Sequence, residues 1–311
     1  MKLSDYVINY LEERGIKHVF GYQGTMIAHF VESIRSSQTI TNHSCYNEQG
    51  AAFAAVGLAK TTNEVAVAYS TSGPGAANLL SGVADAYYDS APTIFFTGQL
   101  NTYEYTGLKN IRQQGFQEMD VVSTFKPITK YCTQITDKND IKKVLDKAFF
   151  MAMEGRKGPV VIDLPMNIQR EEIEPETLEG YIAPAQEDAV DYSQVASEIL
   201  ERMSQANRPV FLLGNGIAKG SQLHSDVLEV ARRLRIPIVT RLPARHLLPY
   251  DDEFNFGHIG AAYGHRYANM IVDQKADLII SIACSMCKRQ TGTKCENFAQ
   301  SADIIRIDID E

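Results

Sequence analysis

Runs of basic residues are missing from this chain, and acidic residues outnumber basic ones to give a formal net charge of -8. The electrostatic footprint of a nucleic-acid binder is therefore absent. No apolar run approaches the roughly 18 to 20 residues needed to span a bilayer. The opening residues, MKLSDYVINYLEERG, lack the apolar stretch of a signal peptide. A cytoplasmic protein without a membrane partner is expected. Cysteines are few, odd in number and scattered: Cys45, Cys132, Cys284, Cys287 and Cys295. That set fits reduced thiols and excludes a disulfide framework. Cys284 and Cys287 form a CxxC with Cys295 beyond it, but a fourth ligand at zinc-site spacing is lacking. Half-buried cysteines are the expectation there, with no metal site. No period of 20 to 50 residues repeats, which excludes a solenoid or propeller.

What is present is an ordinary globular composition, 44% hydrophobic and 22% charged, over 311 residues. That length is too great for one average domain and comfortable for two. Residues 4–14 read as a helix with Ser4 as its cap and Gly15 as its stop. The alternation then runs strand 18–20, helix 27–36, strand 39–43, helix from Glu48, strand EVAVAYST, helix after a Gly-Pro-Gly turn, and strand PTIFFTGQ. Residues 101–137 read as polar and loop-like, a helix starts at Asp140, and GPVVIDLP at 158–165 is a strand. An acidic, Pro-containing stretch follows and reads as a linker. The alternation then restarts with helices near 193–205, 221–235 and 266–274 among four apolar strands. The expected fold class is α/β, with two doubly wound parallel-sheet domains at 1–168 and 191–311, joined by a linker at 169–190.

Ligands of such sheets lie outside the carboxyl ends of the strands. Glu48, the Gly21–Thr25 loop, Thr71–Gly75 and Gly98-Gln99 all fall at such ends, so four loops are expected to converge on one rim. Glu48 opens a helix whose small residues at 51, 52, 54, 55 and 57 invite a closely packed partner, such as a second subunit. A lone glutamate at a helix start is also favoured simply by the helix dipole. In the second half, GNGIAKG at 214–220 is a weak nucleotide-loop signal that a plain strand-to-helix turn explains better. It leaves a nucleotide-binding oxidoreductase as an alternative.

Taken jointly, GYQG, EQGAA at 48–52, TSGPGAANL at 71–79, TGQ at 97–99, FQE at 116–118, ITK at 128–130, GPVVIDLP and IIRIDID at 304–310 carry a resemblance over essentially the whole chain. The sequence resembles the acetolactate synthase-like group of thiamine diphosphate enzymes. The resemblance implies a pyrimidine-binding domain followed by a central Rossmann-like domain. It also implies that Glu48 hydrogen-bonds the cofactor's aminopyrimidine ring and starts the chemistry as the catalytic acid-base group. Gly24, Thr25, Thr71, Ser72, Gly73, Pro74, Gly75 and Asn78 would border the cofactor. Gln99, Phe116, Gln117 and Glu118 would line the substrate channel, with Lys130 at its mouth. Thr25 departs from the family pattern, which has a second glycine there, and Asn101-Thr102 replace a usual Pro-Arg. The family's Gly-Asp-Gly and Asn pattern, which holds Mg²⁺ and the diphosphate in a third domain, is not in this sequence. A truncated chain or a split subunit, inactive alone, is the expectation. FAD in the central domain is doubtful, because the Ala283-Cys284-Ser285 and Ala262-Tyr263-Gly264 stretches differ from the flavin-contacting motifs. The implied activity is decarboxylation of a 2-oxo acid, pyruvate in the first instance, with ligation to a carbonyl acceptor in a homodimer or homotetramer. A non-ligating decarboxylase and a non-catalytic subunit are the alternatives.

Overall fold

Each short apolar run between helices becomes a strand in the computed structural model, which describes residues 1–104, 111–185 and 190–310. The chain divides into two units, Met1–Ala185 and Gln186–Glu311. The first unit alternates α1 (Leu3–Glu13), β1 (His18–Gly21), α2 (Ala28–Ser36), β2 (Thr41–Ser44), α3 (Glu48–Thr62), β3 (Ala66–Ser70), α4 (Pro74–Tyr88) and β4 (Thr93–Gln99). It continues through α5 (Val121–Phe125), β5 (Tyr131–Gln134), α6 (Ile141–Met153), β6 (Val160–Pro165) and α7 (Met166–Gln169). Its six strands pair in parallel in the order β2-β1-β3-β4-β6-β5.

Strand residues point alternately to the two faces of a sheet, and this sheet buries both. Val67, Tyr69, Ile94, Phe96, Val160 and Ile162 join α1, α2 and α6 in one core. Their neighbours Ala68, Phe95 and Val161 join α3, α4 and α5 in the other. The central strands are thus apolar on both faces, as a parallel sheet flanked by helices demands. From β1 the chain moves outward to β2 and then returns to the far side of β1 as β3. The point where strand order reverses lies between β1 and β3, and the loops leaving those strands part there.

The second unit contains α8 (Ser193–Gln205), β7 (Pro209–Leu213), α9 (Gln222–Leu234), β8 (Ile238–Thr240), β9 (Asn255–His258), β10 (Leu278–Ile282) and β11 (Asp303–Ile307). Its five strands are parallel, in the order β11-β10-β7-β8-β9. Both units are therefore α/β, as expected.

Several local expectations change. Ser4 is buried inside α1 and accepts a hydrogen bond from the Ser33 hydroxyl at 2.9 Å; Lys2 is the residue that precedes the helix. The polar stretch read as loop holds β5, an edge strand paired only with β6. The loop before residue 262 likewise contains the edge strand β9. Part of the expected linker docks on the first unit: Glu172 bridges Lys2, and Ile173 and Leu178 enter the core. Residues 186–189 of that linker lie outside the described residues.

The small residues of α3 also have a partner within the chain. Ala51, Ala52 and Ala55 are buried, and a Cβ placed on Gly82 of α4 would come within 2.3 Å of the Ala52 Cβ. The close approach that the alanines permit is thus α3 on α4, whereas Gly50 and Gly57 face open space.

Candidate functional site

Glu48 is the first residue of α3, where the unpaired N–H groups of a helix start favour a carboxylate. Asn47 caps the helix, its side chain accepting from the Gln49 N–H at 2.8 Å. Glu48 is nonetheless buried. Its Oε2 accepts a hydrogen bond from Asn78 Nδ2 of α4 at 2.9 Å. No hydrogen bond to Oε1 occurs among the described residues, and a Cβ on Gly75 would stand 3.1 Å from that oxygen. One carboxylate oxygen is oriented by an amide while the other lies against Gly75, which has no side chain to cover it.

The turn before α4 packs beside that oxygen. Gly73 has φ 56° and ψ -118°, a conformation open to glycine alone, and its missing Cβ would lie 2.6 Å from the Gln117 carbonyl oxygen. Thr71 of the same turn fills the position beside Gly24, where an added Cβ would come within 2.5 Å of the Thr71 Cβ. This contact lies at the reversal point between β1 and β3. Next to it, Gly98 at the end of β4 meets the Met26 carbonyl. The segments expected at one rim are thus linked pairwise: Glu48 with Gly75, Thr71 with Gly24, and Gly98 with Met26 just past Thr25. Thr25 is exposed there, Pro74 is exposed at the start of α4, and Ser72 is buried, its hydroxyl without a partner among the described residues.

The other expected channel residues part company. Gln117, with φ 60°, sits against Gly73, and Phe116 beside it is 72% exposed. Glu118 closes its own loop by accepting from the Gln114 and Gly115 N–H groups at 2.8 and 3.0 Å. Gln99 is only 1% exposed, and its side chain is consumed inside the unit. Its Nε2 donates to the Met119 carbonyl at 2.9 Å and to Asp163 Oδ2 at 3.1 Å, while its Oε1 accepts from the Leu100 N–H at 3.1 Å. Gln99 thus supports the rim from beneath, its amide turned into the interior. Lys130 is at the other edge of the sheet. It directly precedes β5, packs on Gly158 ahead of β6 and donates to the Glu154 carbonyl, while burial lowers its ammonium pKa. In a parallel sheet the amino ends of β5 and β6 lie opposite the rim that carries Glu48.

Sequence reasoning passed over Asp163 inside GPVVIDLP, a buried acid among apolar strand residues. It is fully buried on β6. Desolvation pushes its carboxyl pKa up to about 6 despite hydrogen bonds from Thr97, Gln134 and Gln99, with Asp120 adding to the rise. The signal available was an aspartate in a run that otherwise reads as a two-sided core strand.

In the second unit, the Gly214 backbone donates to Ile282, and an added Cβ would strike the Ala283 carbonyl at 1.7 Å. Packing against the next strand's loop therefore accounts for that glycine. Among the described residues, Arg241 Nε, Ser281 Oγ and Gln290 Oε1 are buried without a geometric hydrogen-bond partner. Cys284 is buried, burial raises its thiol pKa, and Cys287 and Cys295 are exposed; all five cysteines are free. Among the described residues no group of three or more His, Cys, Asp or Glu is arranged to hold a metal. No helix among them is long and apolar enough to cross a membrane.

Comparison with known proteins gives this arrangement its family. The model described as "Thiamine pyrophosphate enzyme, N-terminal TPP binding domain" matches residues 1–124, which include Glu48, Asn78 and the loops around them. That described as "Thiamine pyrophosphate enzyme, central domain" matches residues 196–311. Maize "Acetolactate synthase 1, chloroplastic" is 35% identical over 314 residues, covering 99% of this chain and 47% of the relative. The "Probable acetolactate synthase large subunit" of Methanocaldococcus jannaschii is 37% identical over 320 residues, covering 100% of this chain and 51% of the relative. The chain spans about half the length of these curated relatives. On two domain models and relatives aligned from end to end of the sequence, the chain belongs to the thiamine pyrophosphate enzyme family.

Proposed function

We propose that this chain forms the pyrimidine-holding and central parts of an enzyme that decarboxylates a 2-oxo acid, pyruvate first among candidates, and ligates the acyl unit to a carbonyl acceptor. The observation that carries the proposal is the half-engaged Glu48 carboxyl, with Oε2 held by Asn78 and Oε1 beside Gly75. Such a group fits an aminopyrimidine ring edge: it can share a proton with a ring nitrogen at Oε1 without losing its orientation. When bound, thiamine diphosphate supplies the carbon nucleophile and the electron sink for loss of carbon dioxide. Glu48 holds and moves the proton at the ring nitrogen, and Asn78 fixes the rotamer from which it does so. Gly24, Thr25 and residues 71–75 form the surrounding wall, and Phe116 and Gln117 border the approach. The relatives' names favour ligation over simple decarboxylation, with acetolactate synthase the named activity.

Mg²⁺ and the diphosphate would be held outside the described residues, so catalysis belongs to the complete protein. A homodimer or homotetramer accompanies this reading. It is supported by exposed apolar residues on the outer side of α3 and α4, namely Phe53, Leu80, Tyr87 and Tyr88. Free cysteines suit a cytoplasmic setting. FAD is not required by the proposed chemistry, and the flavin absorbance of purified protein decides its presence.

The test is an assay of the complete protein with thiamine diphosphate, Mg²⁺ and pyruvate, with and without aldehyde or ketone acceptors. A 2-hydroxyketone product supports ligation, and free aldehyde alone would identify a non-ligating decarboxylase. Glu48→Gln should lower kcat by about 10² to 10⁴-fold. Unchanged turnover in that variant would assign the chain to a non-catalytic role.

A further inference from the structure

Asp163 is a completely buried acid for which no cationic partner is found among the described residues. A lone buried carboxyl is costly unless its hydrogen bonds are satisfied, and here they come from two neighbouring strands. Oδ1 accepts from Thr97 Oγ1 of β4 at 2.6 Å. Oδ2 accepts from Gln134 Nε2 of β5 at 2.7 Å and from Gln99 Nε2 of β4 at 3.1 Å. Gln99 then uses its remaining amide proton on the Met119 carbonyl at 2.9 Å. Two residues before Met119 stands Gln117, in a left-handed conformation, pressed on the Gly73 turn whose other residues border Glu48. A continuous set of contacts thus runs from the sheet interior to the rim.

We propose that Asp163 is a positioning residue: acting through Gln99, it fixes the Gly115–Met119 segment against the Gly73 turn and so sets the shape of the substrate approach beside Glu48. The assignment of that approach to a 2-oxo acid rests on the function proposed above; the link from Asp163 to the segment rests on the hydrogen bonds alone. Removing the acid strips Gln99 of one of the two acceptors that orient its amide, and the amide can then turn away from Met119. An asparagine can take over the acid's part. Its side-chain oxygen accepts from Gln99 and Gln134, and its NH₂ faces Thr97, whose hydroxyl rotates from donor to acceptor.

The experiment compares Asp163→Ala, Asp163→Asn and Gln99→Leu in the complete holoenzyme, by amide hydrogen exchange across residues 113–121 and by steady-state kinetics. Asp163→Ala should speed exchange in this segment by about tenfold or more while leaving α3 unchanged. It should raise KM for the 2-oxo acid about tenfold with kcat reduced less than about threefold. Asp163→Asn should restore both, because asparagine keeps the acceptor oxygen that orients Gln99. Gln99→Leu, which leaves Asp163 bound to Thr97 and Gln134, should reproduce the alanine effect and serves if Asp163→Ala does not fold. Unchanged exchange in Gln99→Leu, or asparagine faring no better than alanine, would overturn the proposal. A wild-type protein that turns over no 2-oxo acid refutes the preceding function, and the exchange measurement still decides this inference.

Discussion

Replacing Asp163 with asparagine should make the protein more stable as the pH rises, because the buried carboxyl resists ionising. Burial pushes it from 3.8 to about 6, with Asp120 adding repulsion, against hydrogen bonds from Thr97, Gln134 and Gln99 that favour the charged form. Besides Asp120, the titratable group tied to it among the described residues is the Cys132 thiol, driven by burial and by Asp163 itself up to about 12 and so silent in this range. Below about pH 4 the acid is protonated in both the folded and the unfolded chain. Between about 4 and 6 the folded chain keeps a proton that the unfolded chain has lost, so stability falls as pH rises. A displacement of about two pH units corresponds to about 3 kcal/mol, fully expressed above about pH 6. Asparagine keeps the hydrogen bonds and has no proton to lose. The stability difference, variant minus wild type, should therefore climb by about 3 kcal/mol from pH 4 to pH 7. Tryptophan is absent from the chain, so urea unfolding is best followed by far-ultraviolet circular dichroism at each pH. A difference that stays flat across that range, or wild type gaining on the variant as pH rises, would refute the reasoning.

Other substitutions test the geometry separately. Gly73→Ala adds a Cβ at φ 56°, facing the Gln117 carbonyl; it should cost about 2 kcal/mol or more and lower turnover, read by thermal shift and by kcat. Gly82→Val drives a branched side chain into Ala52, and a loss of about 1 to 3 kcal/mol in urea unfolding is expected. Asn78→Leu removes the amide that orients Glu48, and kcat should drop about tenfold with little change in stability. Lys130→Met changes the amino edge of the sheet, and kcat/KM should stay within about threefold of wild type; a much larger loss would restore Lys130 to the substrate approach.

The strand-helix alternation was legible because central parallel strands are apolar on both faces and glycine-rich turns punctuate them. The edge strands were not. β5 reads Tyr-Cys-Thr-Gln and lies outermost in its sheet, so half-exposed polar residues hide it inside a polar stretch. The grouping of Glu48 with the loops at Gly24, Thr71 and Gly98 followed from strand order alone, since loops at the carboxyl ends must share a rim. Side-chain direction did not follow. Gln99 ends β4 beside that rim yet turns inward, because Asp163 and the Met119 carbonyl offer it buried acceptors, and neither partner can be inferred from TGQ. Lys130 sits four residues before Gln134, but β5 runs between them, so the two occupy opposite ends of the same strand. The alanines of α3 announced a near neighbour correctly in kind, and the neighbour is α4 of the same chain.

That pairing of α3 with α4 is fastened at several heights. Glu48 meets Asn78, Gln49 Nε2 reaches Ser81 Oγ at 2.9 Å, Ala52 nests on Gly82, and Lys60 joins Asp85 and Asp89 at 2.9 and 2.6 Å. Helices riveted along their length in this way translate and tilt together as one stiff plank. The acid on one and the amide on the other travel with the plank, so their separation is insulated from thermal motion elsewhere. Warming the protein should then loosen the Gly115–Met119 segment well before it disturbs the α3–α4 pair, and, on the function proposed above, selectivity among acceptors should fade with temperature sooner than the capacity to decarboxylate.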